Sequence, residues 1–234
     1  MKRVNGSAQE AGRERVHDHR PYAVAVRDGY DAALSTYASA ARSFARLVAD
    51  IPPDRWSGPG LGEWNLRSLV GHTSRSLTTV NTYLSSVAER IDIASPQEYF
   101  AHANAMEAEL GSDEVVERGR QAGKYLGADP AASVHALVDL VLGKLSDSGD
   151  HPIQVIGGLG IRLRDYLPTR TFELAVHSMD IAMALDVSFA VPEDVLTEST
   201  ALAGQIAVAI GAGETVLMSL TGRRTLPESF SVVR

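Results

Sequence analysis

Arg170-Thr-Phe-Glu173-Leu-Ala-Val-His177-Ser-Met-Asp180 sets four ionisable side chains at steps of three, four and three residues. The surrounding stretch, Asp165 to Leu185, reads as a helix. At about 100° per residue, Tyr166, Arg170, His177, Asp180 and Ala184 all fall within about 60° of Glu173. Leu167, Leu174, Ile181 and Leu185 flank this stripe on one side, and Phe172, Val176, Met179 and Met183 on the other. The remaining face carries Thr171, Ala175, Ser178 and Ala182. A solvated polar face would lie opposite the apolar residues, whereas this one lies in their middle, so it points inward. Burying four such groups costs several kcal/mol each unless they are paired or bound to something.

Two accounts meet that demand. One is an ion-pair network, Arg170 with Glu173 and His177 with Asp180, in a metal-free helical protein; it predicts that His72 lies far from Glu173 and that chelators leave stability unchanged. The other is a metal site. Glu173 and His177 are four residues apart, the spacing that brings two side chains on adjacent turns to one ion. A second such pair, Glu98 and His102, shows that this spacing also arises by chance. A third ligand has to come from another helix, and His72 is the first candidate because it borders the arc of Leu69, Val80 and Val87 and faces a helix seam. His135, beside a helix face, and His151, at the start of a loop, are weaker candidates. Glu98, His102 and Arg162 can line a pocket, although no spacing places them there.

Outward from this segment the chain reads as helix after helix. Tyr30, Leu34, Tyr37, Ala41, Phe44, Val48 and Ile51 mark a long amphipathic helix from Tyr22 to Asp50, stopped by Pro52 and Pro53. Asn65 caps a second helix, expected to run from Leu66 to Ala88 with Leu66, Leu69, Val70, Leu77, Val80, Leu84 and Val87 buried. Two shorter helices, Pro96 to Leu110 and Asp113 to Leu126, precede one opened by Pro130 that buries Val134, Leu137, Val138, Val141, Leu142 and Leu145. Gly149 to Arg164 reads as a glycine-containing loop. It lacks the Lys-Ser/Thr of a phosphate-binding loop and any strand-helix-strand frame, so a flexible connection is expected. Pro192 starts a helix to about Ile210, and Glu214 to Thr221 is a last short helix, or a strand over Val216 to Leu220. The class is all-α: a four-helix bundle with additional helices.

The chain has 234 residues, 44% hydrophobic and 22% charged, enough to bury a core. Its net charge of -7 argues against a phosphate-tracking surface and against anionic membranes. The longest apolar stretch, Ala201 to Gly213, is interrupted by Gln205 and too short to cross a bilayer. Residues 1 to 21 are polar, with His17 and His19 among them, and read as a disordered tail of a cytoplasmic protein. The chain has no cysteine, so any thiol chemistry uses a thiol that a cofactor brings.

Trp56, the stretch Trp64-Asn-Leu-Arg-Ser-Leu-Val-Gly-His72 and the stretch Arg170 to Asp180 together resemble the signatures of the DinB/YfiT-like metal-dependent bundles, and among them the mycothiol-dependent maleylpyruvate isomerase-like family. The resemblance runs from about Arg27 to Leu185. It implies a metal-binding bundle over residues 22 to 188 and a short C-terminal helical extension over 189 to 234. It also implies that His72, Glu173 and His177 ligate the metal, zinc by resemblance, with water or a thiolate completing the shell. Two imidazoles and one carboxylate suit zinc independently, and three protein ligands leave an open position. Asp180 would then orient His177, and Arg170 would pair with Glu173 or bind a carboxylate substrate.

The implied activity is zinc-dependent use of mycothiol or a similar thiol as nucleophile, for isomerisation or thiol transfer on a small electrophile. The alternative is a bundle that keeps the fold and serves as a non-catalytic binding or regulatory module. The characterised isomerases resemble two-domain chains with a C-terminal α/β domain, and the segment after Leu185 has little strand pattern, so the resemblance leaves the substrate open. It also raises the expectation of a homodimer.

Overall fold

The structure, a computed structural model, describes residues 22–233. The elements in chain order are α1 (Tyr22–Ala49), α2 (Leu66–Tyr83), α3 (Pro96–Leu110), α4 (Ser112–Tyr125), α5 (Pro130–Ser148), β1 (Pro152–Gln154), β2 (Gly160–Arg162), α6 (Leu163–Leu185), α7 (Glu193–Ala209) and α8 (Gly213–Leu220). The helical class is as the periodicity predicts. The polar segment 1 to 21, with His17 and His19, lies outside the described residues.

Four long helices form a ring in which α1 and α2 each pack on both α5 and α6. The residues that recur at helical spacing supply its core: Tyr37, Phe44 and Val48 of α1, Leu69, Leu77 and Val80 of α2, and Val134, Val141 and Leu145 of α5 are fully buried. Two phenols join helices through backbone carbonyls, which lets their hydroxyls enter the core without losing a hydrogen bond. Tyr30 donates to Leu145 O at 2.8 Å and Tyr37 to Ser76 O at 3.0 Å. Helix starts follow the capping rules: the Asn65 side chain accepts from Ser68 N, and Asp129 accepts from Ala132 N just before Pro130. Outside the ring, α4 lies along α2, α3 packs on α6 and α7, and α8 packs on α7.

Two expectations are corrected, and one alternative is decided. Helix α2 stops at Tyr83 rather than Ala88, and Val87 is 70% exposed rather than buried. Its last turns are given up because the backbone from Ser86 onward bonds elsewhere. Gly149 to Arg164 is not simply a flexible loop, since it contains the antiparallel hairpin β1–β2, in which Ile153 pairs with Ile161 and both are fully buried. Gln154 N donates to Ser86 O, Ala88 N to Pro152 O, and both Asp92 N and Ile93 N to Gly160 O, so the hairpin holds the α2–α3 connection in place. The segment Val216 to Leu220 is helical, within α8.

Helix α6 runs through the middle of the molecule, in contact with α1, α2, α3 and α7. Its small-residue face, Thr171, Ala175, Ser178 and Ala182, is therefore buried as well, and only Met179 and Met183 of its residues are exposed. Where α7 meets Thr171, Glu198 carries a buried Oε1 without a hydrogen-bond partner. Burial, helped by Asp194 and opposed by the Thr171 hydroxyl, pushes its carboxyl up to about 7.

A carboxyl that binds its proton more tightly in the folded chain stabilises the fold below its unfolded value of 4.5, and that contribution is lost as pH rises from there through about 7. Glu198→Gln is therefore expected to raise the unfolding free energy by about 1–2 kcal/mol at pH 8, the figure being reduced for the group's partial exposure. Below pH 4.5 the variant and the parent chain should match. Thermal melts of both at the two pH values decide it, and an equal difference at both would refute the titration.

Candidate metal centre

His72 comes from the middle of α2, and Glu173 and His177 from successive turns of α6. The packing of α2 on α6 brings them together so that one donor atom from each lies within 4.8 Å of the other two. The His72 and His177 rings meet edge to face with centroids 4.9 Å apart. His177 Nε2 is 3.2 Å from Glu173 Oε2, and His177 Nδ1 is 2.9 Å from Asp180 Oδ2. The prediction of the metal-free account, that His72 lies far from Glu173, is not met.

The rest of that account is half met. His177 does pair with Asp180, but the Arg170 guanidinium lies over the Tyr99 and Tyr166 rings, 5.2 and 5.1 Å from their centroids, and its Nε donates to Thr169 Oγ1 at 3.0 Å. Arg170 is thus held by aromatic faces, a contact suited to a planar weakly hydrated cation. It acts on Glu173 as a nearby charge.

The protonation pattern is that of two imidazoles in different roles. Burial, together with the positive charge of His177, pushes His72 down to about 3, so it is neutral. Burial works against a charge on His177 as well, but its hydrogen bonds to Asp180 and Glu173 outweigh it and push it up to about 9. Burial likewise opposes ionisation of Glu173, and the His177 hydrogen bond and the Arg170 charge outweigh it, holding the carboxyl below its usual range. In the metal-free chain His177 is an imidazolium bridging two carboxylates. A metal would compete with the Nε2 proton and leave Nδ1–H on Asp180.

The donor set passes a direct test of fit. His72 Nδ1 is buried and has no hydrogen-bond partner, an arrangement that costs about 1–3 kcal/mol unless something else satisfies the nitrogen. Trp64 closes the other side, its ring 4.4 Å from that of His72 and its Nε1 donating to Val116 O of α4 at 2.9 Å.

The other histidines and acids named from the sequence are not part of this cluster. Glu98 accepts from Ala94 N at 2.8 Å while its own N–H bonds Ser95 Oγ, a reciprocal cap at the start of α3. His102 is exposed. His135 is exposed too, 3.6 Å from Asp139, and His151 Nδ1 sits 3.2 Å from Gly149 O. Arg162 ends β2, where its charge acts on Asp165. Sequence reasoning missed the aromatic seat of Arg170. Tyr166, four residues earlier on the same stripe, was a signal for half of it; Tyr99 comes from α3 and carried none.

A helical bundle with a partly buried His-Glu-His cluster between two of its long helices has the architecture of the DinB-like class. Residues 37–182 match the family model described as "Mycothiol maleylpyruvate isomerase N-terminal domain", and the chain belongs to that family. No curated protein and no solved structure gives a match. Among the described residues no single helix is long and apolar enough to cross a membrane.

Proposed function

We propose that this chain is a zinc enzyme that uses a low-molecular-weight thiol, mycothiol or one like it, for isomerisation or thiol transfer on a small electrophilic substrate. The observation that carries the reading is the convergence of His72, Glu173 and His177 from two helices, with a buried His72 nitrogen left without a partner. Family membership supports the link to mycothiol. The absence of cysteine means that a thiol nucleophile has to come from outside the chain.

His72, Glu173 and His177 would hold the ion, and with three protein ligands one position stays open. When bound, zinc supplies a Lewis-acid centre that keeps a thiol sulfur as thiolate at neutral pH. The chain's own residues do the rest. Asp180 fixes the His177 ring through Nδ1, and Trp64 shields His72 from water on one side. Arg170, braced by two phenols, keeps a permanent positive charge beside Glu173, where it can orient a carboxylate of the substrate.

Elemental analysis of the purified protein, beside a His72→Ala, His177→Ala double variant prepared identically, tests this. The expected result is about one zinc per chain, lost in the variant, as three-ligand sites require. No metal in either protein after incubation with zinc would overturn the reading. Given the metal, thiol-dependent turnover of unsaturated or electrophilic acids separates the enzyme from a non-catalytic module.

A further inference from the structure

A cavity of about 580 Å³ opens between α2, α4 and α5. Gly71, Ala122, Leu126 and Leu137 give it an apolar floor, and Tyr125 stands at its mouth. A volume of this order suits a small organic molecule. The charged groups on its wall are not equivalent. Arg118 is paired with Glu114 one turn away, and Glu117 is engaged by Arg120 and Gln121. Arg75 is partly buried, and among the described residues no carboxylate lies within ion-pair distance of its guanidinium and no acceptor takes a hydrogen bond from it. A cation removed from water without a counter-charge is costly, and a bound anion would repay that cost.

The position of Arg75 on α2 matters as much as its charge. At about 100° per residue it lies some 60° from His72 and about 40° from Gly71, at the border between the face that meets α6 and the face that lines the cavity. Its charge acts on His72 and is in turn felt beside Arg170. A guanidinium with no ion-pair partner among the described residues, above an apolar floor, matches a molecule with one carboxylate and a hydrocarbon body. Among the described residues a cation would meet only the engaged carboxylates of Glu114 and Glu117, and a phosphate would ask for more donors than one guanidinium.

We propose that this cavity binds a small apolar monocarboxylate, anchored on Arg75. The inference goes beyond the zinc reading and does not depend on it, because no metal ligand lines the cavity.

The test is calorimetric titration of the full chain with hexanoate, benzoate and phenylacetate, each beside its uncharged amide. At least one acid should bind saturably below about 5 mM, the range of a single charged contact, with its amide about tenfold weaker. Arg75→Gln should reduce that acid to the level of its amide, and Arg75→Lys should recover part of the loss. Leu137→Trp, which fills the cavity from α5, should abolish binding, so that a folding defect in one variant leaves the other as the test. His177→Ala should leave the affinity unchanged even where it removes zinc, which separates failure here from failure of the metal centre. Equal binding of acid and amide, full affinity in Arg75→Gln or Leu137→Trp, or no saturable binding of any of the three acids would overturn the proposal.

Discussion

Asp180→Ala is expected to weaken zinc binding at the proposed centre about 10- to 100-fold while leaving the helices in place, the usual cost of removing the group that orients a ligating histidine. Asp180 Oδ2 sits 2.9 Å from His177 Nδ1, on the same face of α6 one turn further on. It does two things there: it fixes the ring so that Nε2 faces Glu173 and His72, and it raises the basicity of that nitrogen. Removing the carboxylate leaves His177 free to rotate and lowers the affinity of the proton and the metal together. Asp180→Asn keeps an acceptor but not the charge, so it should fall between the two. Zinc competition against a chromophoric chelator, with far-ultraviolet circular dichroism as the control, reads the effect. Unchanged affinity in Asp180→Ala would mean that the pair serves the helix alone and does not orient a ligand.

The second large effect concerns stability. Gly71 lies where α2 crosses α4, and a Cβ there would collide with the backbone nitrogen of Gly123 and stand 2.5 Å from the carbonyl carbon of Ala122. Those atoms belong to the α4 backbone, so no rotamer change relieves the contact and the helix itself has to move. Gly71→Val is expected to cost about 3 kcal/mol or more, at the upper end of overpacking. At this chain length that is a fall in Tm of roughly 6–12 °C. Gly143→Ala, on the exposed side of α5 with nothing near its Cβ position, is the matched control and should stabilise by about 0.5–1 kcal/mol through helix propensity. Similar melting temperatures for the two variants would refute the close crossing.

What could be read from the sequence follows from which interactions are local. The stripe from Arg170 to Asp180 is a property of one helix, so its inward aspect and the meeting of His177 with Asp180 were legible from spacing alone. By periodicity His72 was legible only as a residue at a helix seam, and it was the family resemblance that set it beside Glu173; that its seam faces Glu173 depends on α2 packing against α6, which no period encodes. The caps at Asn65 and Asp129-Pro130 act within one turn and set helix starts correctly.

The hairpin was not legible because each strand has three residues and draws much of its hydrogen bonding from Ser86 to Ile93, some seventy residues earlier in chain order than Gly160. The same distant pairing ends α2 early. The face of Thr171, Ala175, Ser178 and Ala182 carried no signal of burial in the sequence, because small and hydroxyl residues are neutral on hydrophobic scales. In the fold these are the residues that let neighbouring helices come close to α6.

The ring order of the four long helices sets a timetable for the ribosome. Helix α1 packs mostly on α5, α6 and α7, all of them late in the chain, so it leaves the exit tunnel with Phe44 and Val48 presented to solvent and only the Tyr37 contact to α2 to be made early. At about 5–20 residues per second, synthesis through α4 and α5 to the end of α6 takes on the order of ten seconds. For that interval the first helix is a hydrophobic client, and variants that slow the completion of α6 should be felt first as aggregation of nascent chains.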